Sequence, residues 1–269
     1  MFNFNKEDWN VDWNVKTKII GVGDFGAKMV NLSIEKVLLN ANFSVVATKN
    51  ETLLKSSAPQ RIKVTDSVDE ETRKNFSELV KDIDLLFIFT DLADENISIQ
   101  IAKLSKDILT VAIMPKSAPN KEKFQNSVDA LISVEDENIF LMYNVVRLIN
   151  GLVSEPGMVG FDYAEVKSVL GNSGKCYVSY GMATGKTPAI DAMKIAINSL
   201  KDILNKSKGV LVGIVGYYEN LSMIEANEAT TMLQEAMHPD AEIIWGVNSD
   251  VTYLDSVETI IIATLSGSD

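Results

Sequence analysis

Asn138-Ile139-Phe140-Leu141-Met142-Tyr143-Asn144-Val145-Val146-Arg147-Leu148-Ile149-Asn150-Gly151-Leu152-Val153-Ser154-Glu155-Pro156-Gly157 lies midway along a chain of 269 residues and reads as one helix. Ile139, Met142, Val145, Val146, Ile149 and Leu152 or Val153 form an apolar stripe at helical spacing. Proline disfavours the helical region for the residue before it and glycine bends freely, so the helix should stop across 154–157. Met158-Val159-Gly160-Phe161-Asp162-Tyr163-Ala164-Glu165-Val166 follows as a loop that feeds a second amphipathic helix. The chain is thus organised around a long apolar helix with an acidic loop at its end.

Composition narrows the classes of partner. An apolar content of 46% is ample for sizeable cores, and the length suits one large domain or two small ones. A net charge of −12 opposes direct binding to nucleic acid or to an anionic membrane surface. No apolar run reaches the roughly 18 residues of a membrane span, and the N-terminus lacks a basic-then-apolar signal, so a cytoplasmic location is expected. The lone Cys176, set in an apolar run, reads as buried filler. His238 is the only histidine; it reads as a cation-capable residue at a helix C-terminus, and histidine-based catalysis and multi-histidine zinc sites have nothing to build on.

Met1 to Asn14 carry Phe2, Phe4, Trp9 and Trp13 among charged residues. These aromatics either fold back on the protein's own surface or dock onto another subunit or an anchor protein. Next, Lys18-Ile19-Ile20-Gly21-Val22-Gly23-Asp24-Phe25-Gly26-Ala27-Lys28-Met29-Val30-Asn31 reads as strand, glycine turn and helix. Gly21, Gly23 and Gly26 fit a dinucleotide fingerprint, in which the backbone approaches phosphate at a helix N-terminus. A nicotinamide site also wants an acidic residue ending the second strand, yet Phe43–Ala47 runs into Thr48-Lys49-Asn50. A nicotinamide-dependent enzyme therefore ranks last among the readings.

The same residues resemble the FtsZ/tubulin family of filament-forming GTPases. Gly21-Val22-Gly23 through Asn31 is similar to the family's first turn and helix, and Thr48-Lys49-Asn50 followed by Leu53-Leu54-Lys55-Ser56-Ser57-Ala58-Pro59 to its next strand end and segment. Asp84–Ile88 and Leu109–Ala112 fall where the family has two further parallel strands, with a helix from about Asp94 to Asp107 between them. Pro-Gly and the Asp162 loop resemble the junction after the family's central helix, where the pattern Asn-x-Asp-x-x-Asp appears here as Gly160, Asp162 and Glu165. Cys176–Gly185 resembles the strand and glycine turn that follow, and Ala196-Ile197-Asn198-Ser199 a family motif within a helix over Pro188–Leu204. A buried strand at Gly209–Ile214, a helix around Ile224–Met237 and strands at Ala241–Val247 and Val257–Leu265 complete the likeness, which covers nearly all of Lys18 to Leu265.

The resemblance implies an α/β fold of tubulin/FtsZ type: an N-terminal extension over 1–17, a Rossmann-like domain of nucleotide-binding type over 18–137 with a doubly wound sheet, a central helix over 138–157, and a smaller α+β domain over 158–269 with a mixed four-stranded sheet. It implies a GTP or GDP site with Mg²⁺ using Gly21, Gly23, Gly26 and Asn50. It also implies a catalytic role for Asp162 and Glu165 on the nucleotide of a neighbouring subunit.

The chain departs from the family where phosphate would sit. The family's Gly-Gly-Gly-Thr-Gly-Thr-Gly loop is replaced by Thr90-Asp91-Leu92-Ala93-Asp94-Glu95-Asn96, and no glycine occurs between Gly26 and Gly151. The second phosphate loop is replaced by Thr65-Asp66-Ser67-Val68-Asp69-Glu70-Glu71. Asp24, Asp91, Asp94 and Glu95 would face the nucleotide, and each carboxylate about 4 Å from a phosphate charge costs roughly 1 kcal/mol in water and roughly 4 at an effective dielectric of 20. Asp91, Asp94 and Glu95 could instead hold Mg²⁺, or Asp94 and Glu95 could cap the following helix. Asp136 and Phe140 fall near the family's guanine-reading pair without reproducing it. Asp162 and Glu165 read alternatively as N-terminal carboxylates of the helix from Tyr163. The expectation is an FtsZ-like cytoskeletal or division-type protein, without metal or other cofactor. It would associate with itself or with another FtsZ-like or division protein, with GTP binding and hydrolysis lost or very weak. The alternative is an active, divergent GTPase that forms nucleotide-dependent filaments.

Overall fold

The computed structural model describes residues 15–65, 68–154, 157–160 and 162–265. The aromatic segment Met1–Asn14 and Glu155-Pro156 lie outside the described residues, as does Phe161.

Strands and helices alternate through the first half: β1 Thr17–Val22, α1 Gly23–Glu35, β2 Ala41–Ala47, α2 Asn50–Leu54, β3 Gln60–Lys63, α3 Glu70–Leu79, β4 Leu85–Phe89, α4 Glu95–Leu104, β5 Leu109–Pro115, α5 Lys121–Gln125 and β6 Ala130–Val134. Then come α6 Ile139–Ser154, α7 Tyr163–Leu170, β7 Gly174–Thr184, α8 Pro188–Leu204, β8 Gly209–Gly216, α9 Met223–Ala236, β9 Glu242–Ser249 and β10 Ser256–Thr264. A 3-10 turn, Val251–Tyr253, precedes β10.

The strands form one ten-stranded sheet in the order β3-β2-β1-β4-β5-β6-β7-β10-β8-β9. β1 to β6 are parallel; β4 and β5 at the centre are buried on both faces and read as apolar runs, whereas the edge strand β3 is polar and mostly exposed. β10 is antiparallel to β7 and β8, and β9 is parallel to β8, which gives the mixed four-stranded arrangement in the second half. The sequence reading expects two sheets. They are in fact joined, because Ala130–Ile132 of β6 pairs in parallel with Gly174–Cys176 of β7. Asp129 secures that seam: one carboxylate oxygen accepts from Thr110 N–H at 2.8 Å and the other from Asn172 N–H at 3.2 Å.

The central helix α6 is buried nearly all round: the apolar stripe of Met142, Val145, Val146, Ile149 and Leu152 is fully buried, and Leu141, Asn144, Leu148 and Asn150 on its other sides are buried too. One core cluster runs from β1, β2, β4, β5 and β6 through α6 and α7 to Leu211, Ile244, Ile260 and Ile262 of the second half. α6 lies so close to β8 that a Cβ on Gly213 would meet Leu148 Cδ1 at 1.8 Å. Among the described residues no helix is long and apolar enough to cross a membrane.

Candidate functional site

Parallel strands place their following loops at one end of the sheet, so the turns after β1, β2, β4 and β5 gather there. Gly21, Gly23 and Gly26 are brought together as the sequence predicts. Two of them serve packing: a Cβ on Gly21 would lie 2.3 Å from Gly26 O, and one on Gly26 would lie 2.5 Å from Phe89 O. Gly23 opens α1 with φ +71°, and a Cβ there would come within 3.0 Å of Asp94 Oδ2.

Protein carboxylates stand over this turn. Asp24, in the first turn of α1, is ion-paired with Lys49 Nζ at 2.7 Å and accepts a hydrogen bond from Thr52 Oγ1. Lys49 and then Thr52 hold its carboxyl below the ordinary value, and Asp24 in turn raises Lys49. Asp94 Oδ1 accepts from Thr48 Oγ1 at 3.4 Å. Asp94 holds the N-cap position of α4 and Glu95 its first turn, as the capping reading has them, but the Asp94 side chain makes no capping hydrogen bond. Glu95 turns to Lys123 Nζ at 2.7 Å and Asn120 Nδ2 at 2.9 Å, which lower its carboxyl. Nor are Asp91, Asp94 and Glu95 drawn into a metal site; among the described residues no group of three or more His, Cys, Asp or Glu could hold an ion.

The loop after β4 uses its own donors. Leu92 N–H donates to Thr90 Oγ1 at 3.0 Å, and Ala93 N–H to Asp91 Oδ1 at 3.0 Å. Thr90 Oγ1 also contacts Ser98 Oγ at 2.9 Å. Leu92 adopts φ +61° with its side chain buried in the core on that face of the sheet. Two of the loop's backbone N–H groups, those of Leu92 and Ala93, are thus already bonded to side chains of the same loop. In the segment replacing the second phosphate loop, Asp69 caps α3 through Thr72 N–H at 2.8 Å.

Beside the turn lies a cleft of about 590 Å³ lined by α1, α2 and the first residue of α6. Lys28, Lys49 and Lys55 face Asp24, Glu35 and Glu51, so its formal charges cancel, and Ala27, Leu32 and Ile139 supply an apolar floor. Asn50 is not part of its lining. It opens α2 and accepts from Lys63 Nζ at 2.8 Å. Asp136 binds Ser117 through the backbone N–H at 3.0 Å and through the hydroxyl, and these bonds lower its carboxyl. Phe140 packs edge-on to Tyr180 with ring centroids 6.1 Å apart. The sequence reading missed Lys49 and Thr52 as partners of Asp24, and Thr48 as partner of Asp94. Only the side-chain geometry between α1, α2 and the β4 loop shows those pairings.

Asp162 and Glu165 form a capping box on α7: Asp162 Oδ1 accepts from Ala164 N–H at 3.1 Å, and Glu165 Oε2 accepts from Asp162 N–H at 2.9 Å. The adjoining Tyr163 hydroxyl donates to Asp84 O at 2.6 Å, at the start of β4. The glycine turn lies at the far end of that strand layer, and a strand of five residues spans about 16 Å. The pair therefore cannot reach this chain's own cleft.

Residues 174–266 match the FtsZ family C-terminal domain. Most of the chain superposes on FtsZ from M. jannaschii in two structures. One is a tryptophan-to-tyrosine mutant, at TM-score 0.84 and 20% identity over 93% of this chain and 91% of that one. The other is described as an empty FtsZ dimer, at TM-score 0.83 and 22% identity over 94% and 89%. The chain has the fold of the FtsZ/tubulin superfamily. CetZ from Methanosaeta thermophila aligns more distantly, at TM-score 0.63 and 15% identity over 94% of this chain and 87% of that one. The residues that match the FtsZ C-terminal domain are those that build β7 to β10, and the cleft beside Gly23 lies in the other half.

Proposed function

We propose that this chain is a divergent FtsZ-like cytoskeletal protein that works by self-association or by binding another FtsZ-like or division protein, with GTP binding and hydrolysis lost or very weak. The observation that carries this is the occupation of the glycine turn by the chain's own carboxylates, Asp94 beside Gly23 and Asp24 bound to Lys49 and Thr52. A triphosphate would have to displace both against like charge, in a cleft whose own charges cancel. The division into an extension over 1–17, a Rossmann-like domain over 18–137, a connecting helix over 138–157 and an FtsZ-type domain over 158–269 belongs to the same reading, as does a cytoplasmic location. Self-association is supported by the fold shared with an FtsZ dimer.

Titration calorimetry with GTP and GDP in Mg²⁺, paired with sedimentation with and without GTP, tests the proposal. No heat of binding, with pelleting indifferent to nucleotide, is expected. A second reading, an active GTPase, is favoured by the exposed Asp162 and Glu165 at the end of the molecule opposite the cleft, where they could act on a neighbour's nucleotide. Micromolar GTP binding with strictly GTP-dependent pelleting would establish it, with Gly21, Gly23, Gly26 and Asn50 as nucleotide contacts.

A further inference from the structure

Charge is distributed very unevenly along this chain. Residues 209–269 contain ten Asp and Glu and no Lys or Arg, so ten of the twelve net negative charges lie in the last 61 residues. Within that stretch two loops are stitched side by side. Asp250 N–H donates to Gly216 O at 3.1 Å, Tyr218 N–H to Ser249 Oγ at 3.1 Å, and Tyr217 N–H to Tyr253 O at 3.4 Å.

Each loop exposes large apolar side chains. Tyr218 is 59% exposed, Val251 69% and Leu254 57%, and Tyr217 and Tyr218 lie ring against ring with centroids 4.3 Å apart. Exposed Glu219 and Asp255 sit next to these apolar side chains in the chain, with half-buried Asp250 beside Val251. A rigid mount lies beneath. Arg147 of α6 bonds Glu258 and the Tyr253 hydroxyl, the latter at 3.1 Å, and Tyr253 OH donates to Glu258 Oε2 at 2.8 Å. Glu258 is fully buried, so the turn that presents Val251 and Leu254 is fixed from below rather than free to fold its apolar side chains away.

We propose that this surface docks a cationic amphipathic segment of a partner protein, whose apolar side chains meet Tyr218, Val251 and Leu254 while its lysines or arginines face Glu219 and Asp255. Aromatic and aliphatic anchors framed by one sign of charge supply contact area from the centre and selectivity from the rim. Charge complementarity selects the occupant. Nucleic acid and anionic membrane are repelled, and a second copy brings no basic surplus, since residues 1–208 carry a net −2. The inference does not depend on whether the cleft beside Gly23 binds nucleotide.

The test uses the full chain and three labelled synthetic peptides of roughly 18 residues: a Lys/Leu sequence with leucines at helical spacing, a scramble of the same composition, and a version with Glu for every Lys. Binding is followed by fluorescence anisotropy at about 50 and about 300 mM NaCl. The Lys/Leu helix is expected to bind saturably and to weaken with salt, the scramble to bind at least about tenfold more weakly, and the Glu version not to bind. Tyr218→Ser with Leu254→Ser, and separately Glu219→Lys with Asp255→Lys, should each weaken binding about tenfold or more. Both double variants change exposed side chains, and an unchanged melting curve confirms that they fold. Equal binding of helix and scramble, or indifference to Tyr218→Ser with Leu254→Ser, would reduce the effect to bulk charge and overturn the proposal. So would loss of concentration-dependent self-association in those variants without any peptide binding, which would make the occupant a second copy.

Discussion

At the scale of single residues, the glycines of the first turn separate packing from ligand binding. Gly21 and Gly26 let β1, α1 and β4 approach each other, so Gly26→Ala forces a backbone shift and is expected to cost about 1–3 kcal/mol or more in urea unfolding. Gly23→Ala meets a left-handed conformation instead, at about 1–2 kcal/mol. Both losses should be the same with and without GTP, whereas a functional phosphate cradle would show nucleotide-dependent stabilisation that each substitution removes. Asp24 gives the electrostatic counterpart. Its folded carboxyl is lowered from the ordinary 3.8, chiefly by the hydrogen bond from Lys49. Its contribution to stability is therefore present above the unfolded value and lost as pH falls through the lower folded one. In carboxyl-detected NMR titrations Lys49→Ala should move the Asp24 midpoint upward; a midpoint that stays put would deny the pair. These pairings were hard to read beforehand. The sequence shows acidic residues near a glycine turn, but which cation turns toward them depends on how α2 and the β4 loop fold over it.

At the scale of elements, α7 distinguishes two roles for the same carboxylates. Asp162→Ala removes the N-terminal cap and should lower stability by about 1 kcal/mol, while Asp162→Asn keeps a good cap and should be nearly neutral in denaturant unfolding. If GTP turnover is present and falls with Asp162→Asn at unchanged stability, the carboxylate has a chemical role beyond capping. The elements themselves were largely legible. The period of apolar residues finds α6, Pro188 marks the start of α8 at its first helical position, and the continuous apolar runs find β4, β5 and β8. Ends moved where capping was misjudged: the helix read from about Asp94 to Asp107 is α4, Glu95–Leu104, because the chain turns at Ser105, whose hydroxyl donates to Ala102 O at 2.8 Å. The seam between β6 and β7 was not legible, since three residue pairs between strands some forty residues apart leave no local pattern.

At the scale of the whole molecule, α6 is shared property. Its buried side chains belong to a core cluster that includes residues of both halves, and the sheet runs through the seam without a break. Midway along the helix Arg147 is tied to the fully buried Glu258 of β10, so the second half is held to the helix by charge as well as by packing. Removing one partner leaves the other buried and uncompensated. Arg147→Met is therefore expected to cost about 3–5 kcal/mol, and much of that should return in the double variant Arg147→Met with Glu258→Leu, where no charge remains to be buried. Because helix and sheet are common to both halves, the loss should appear in hydrogen-exchange protection of β4 and β5 as well as of β8 and β10, within a single calorimetric transition. Protection lost only in β8 and β10, with a second transition in calorimetry, would show instead that the halves unfold separately and that α6 belongs energetically to the first.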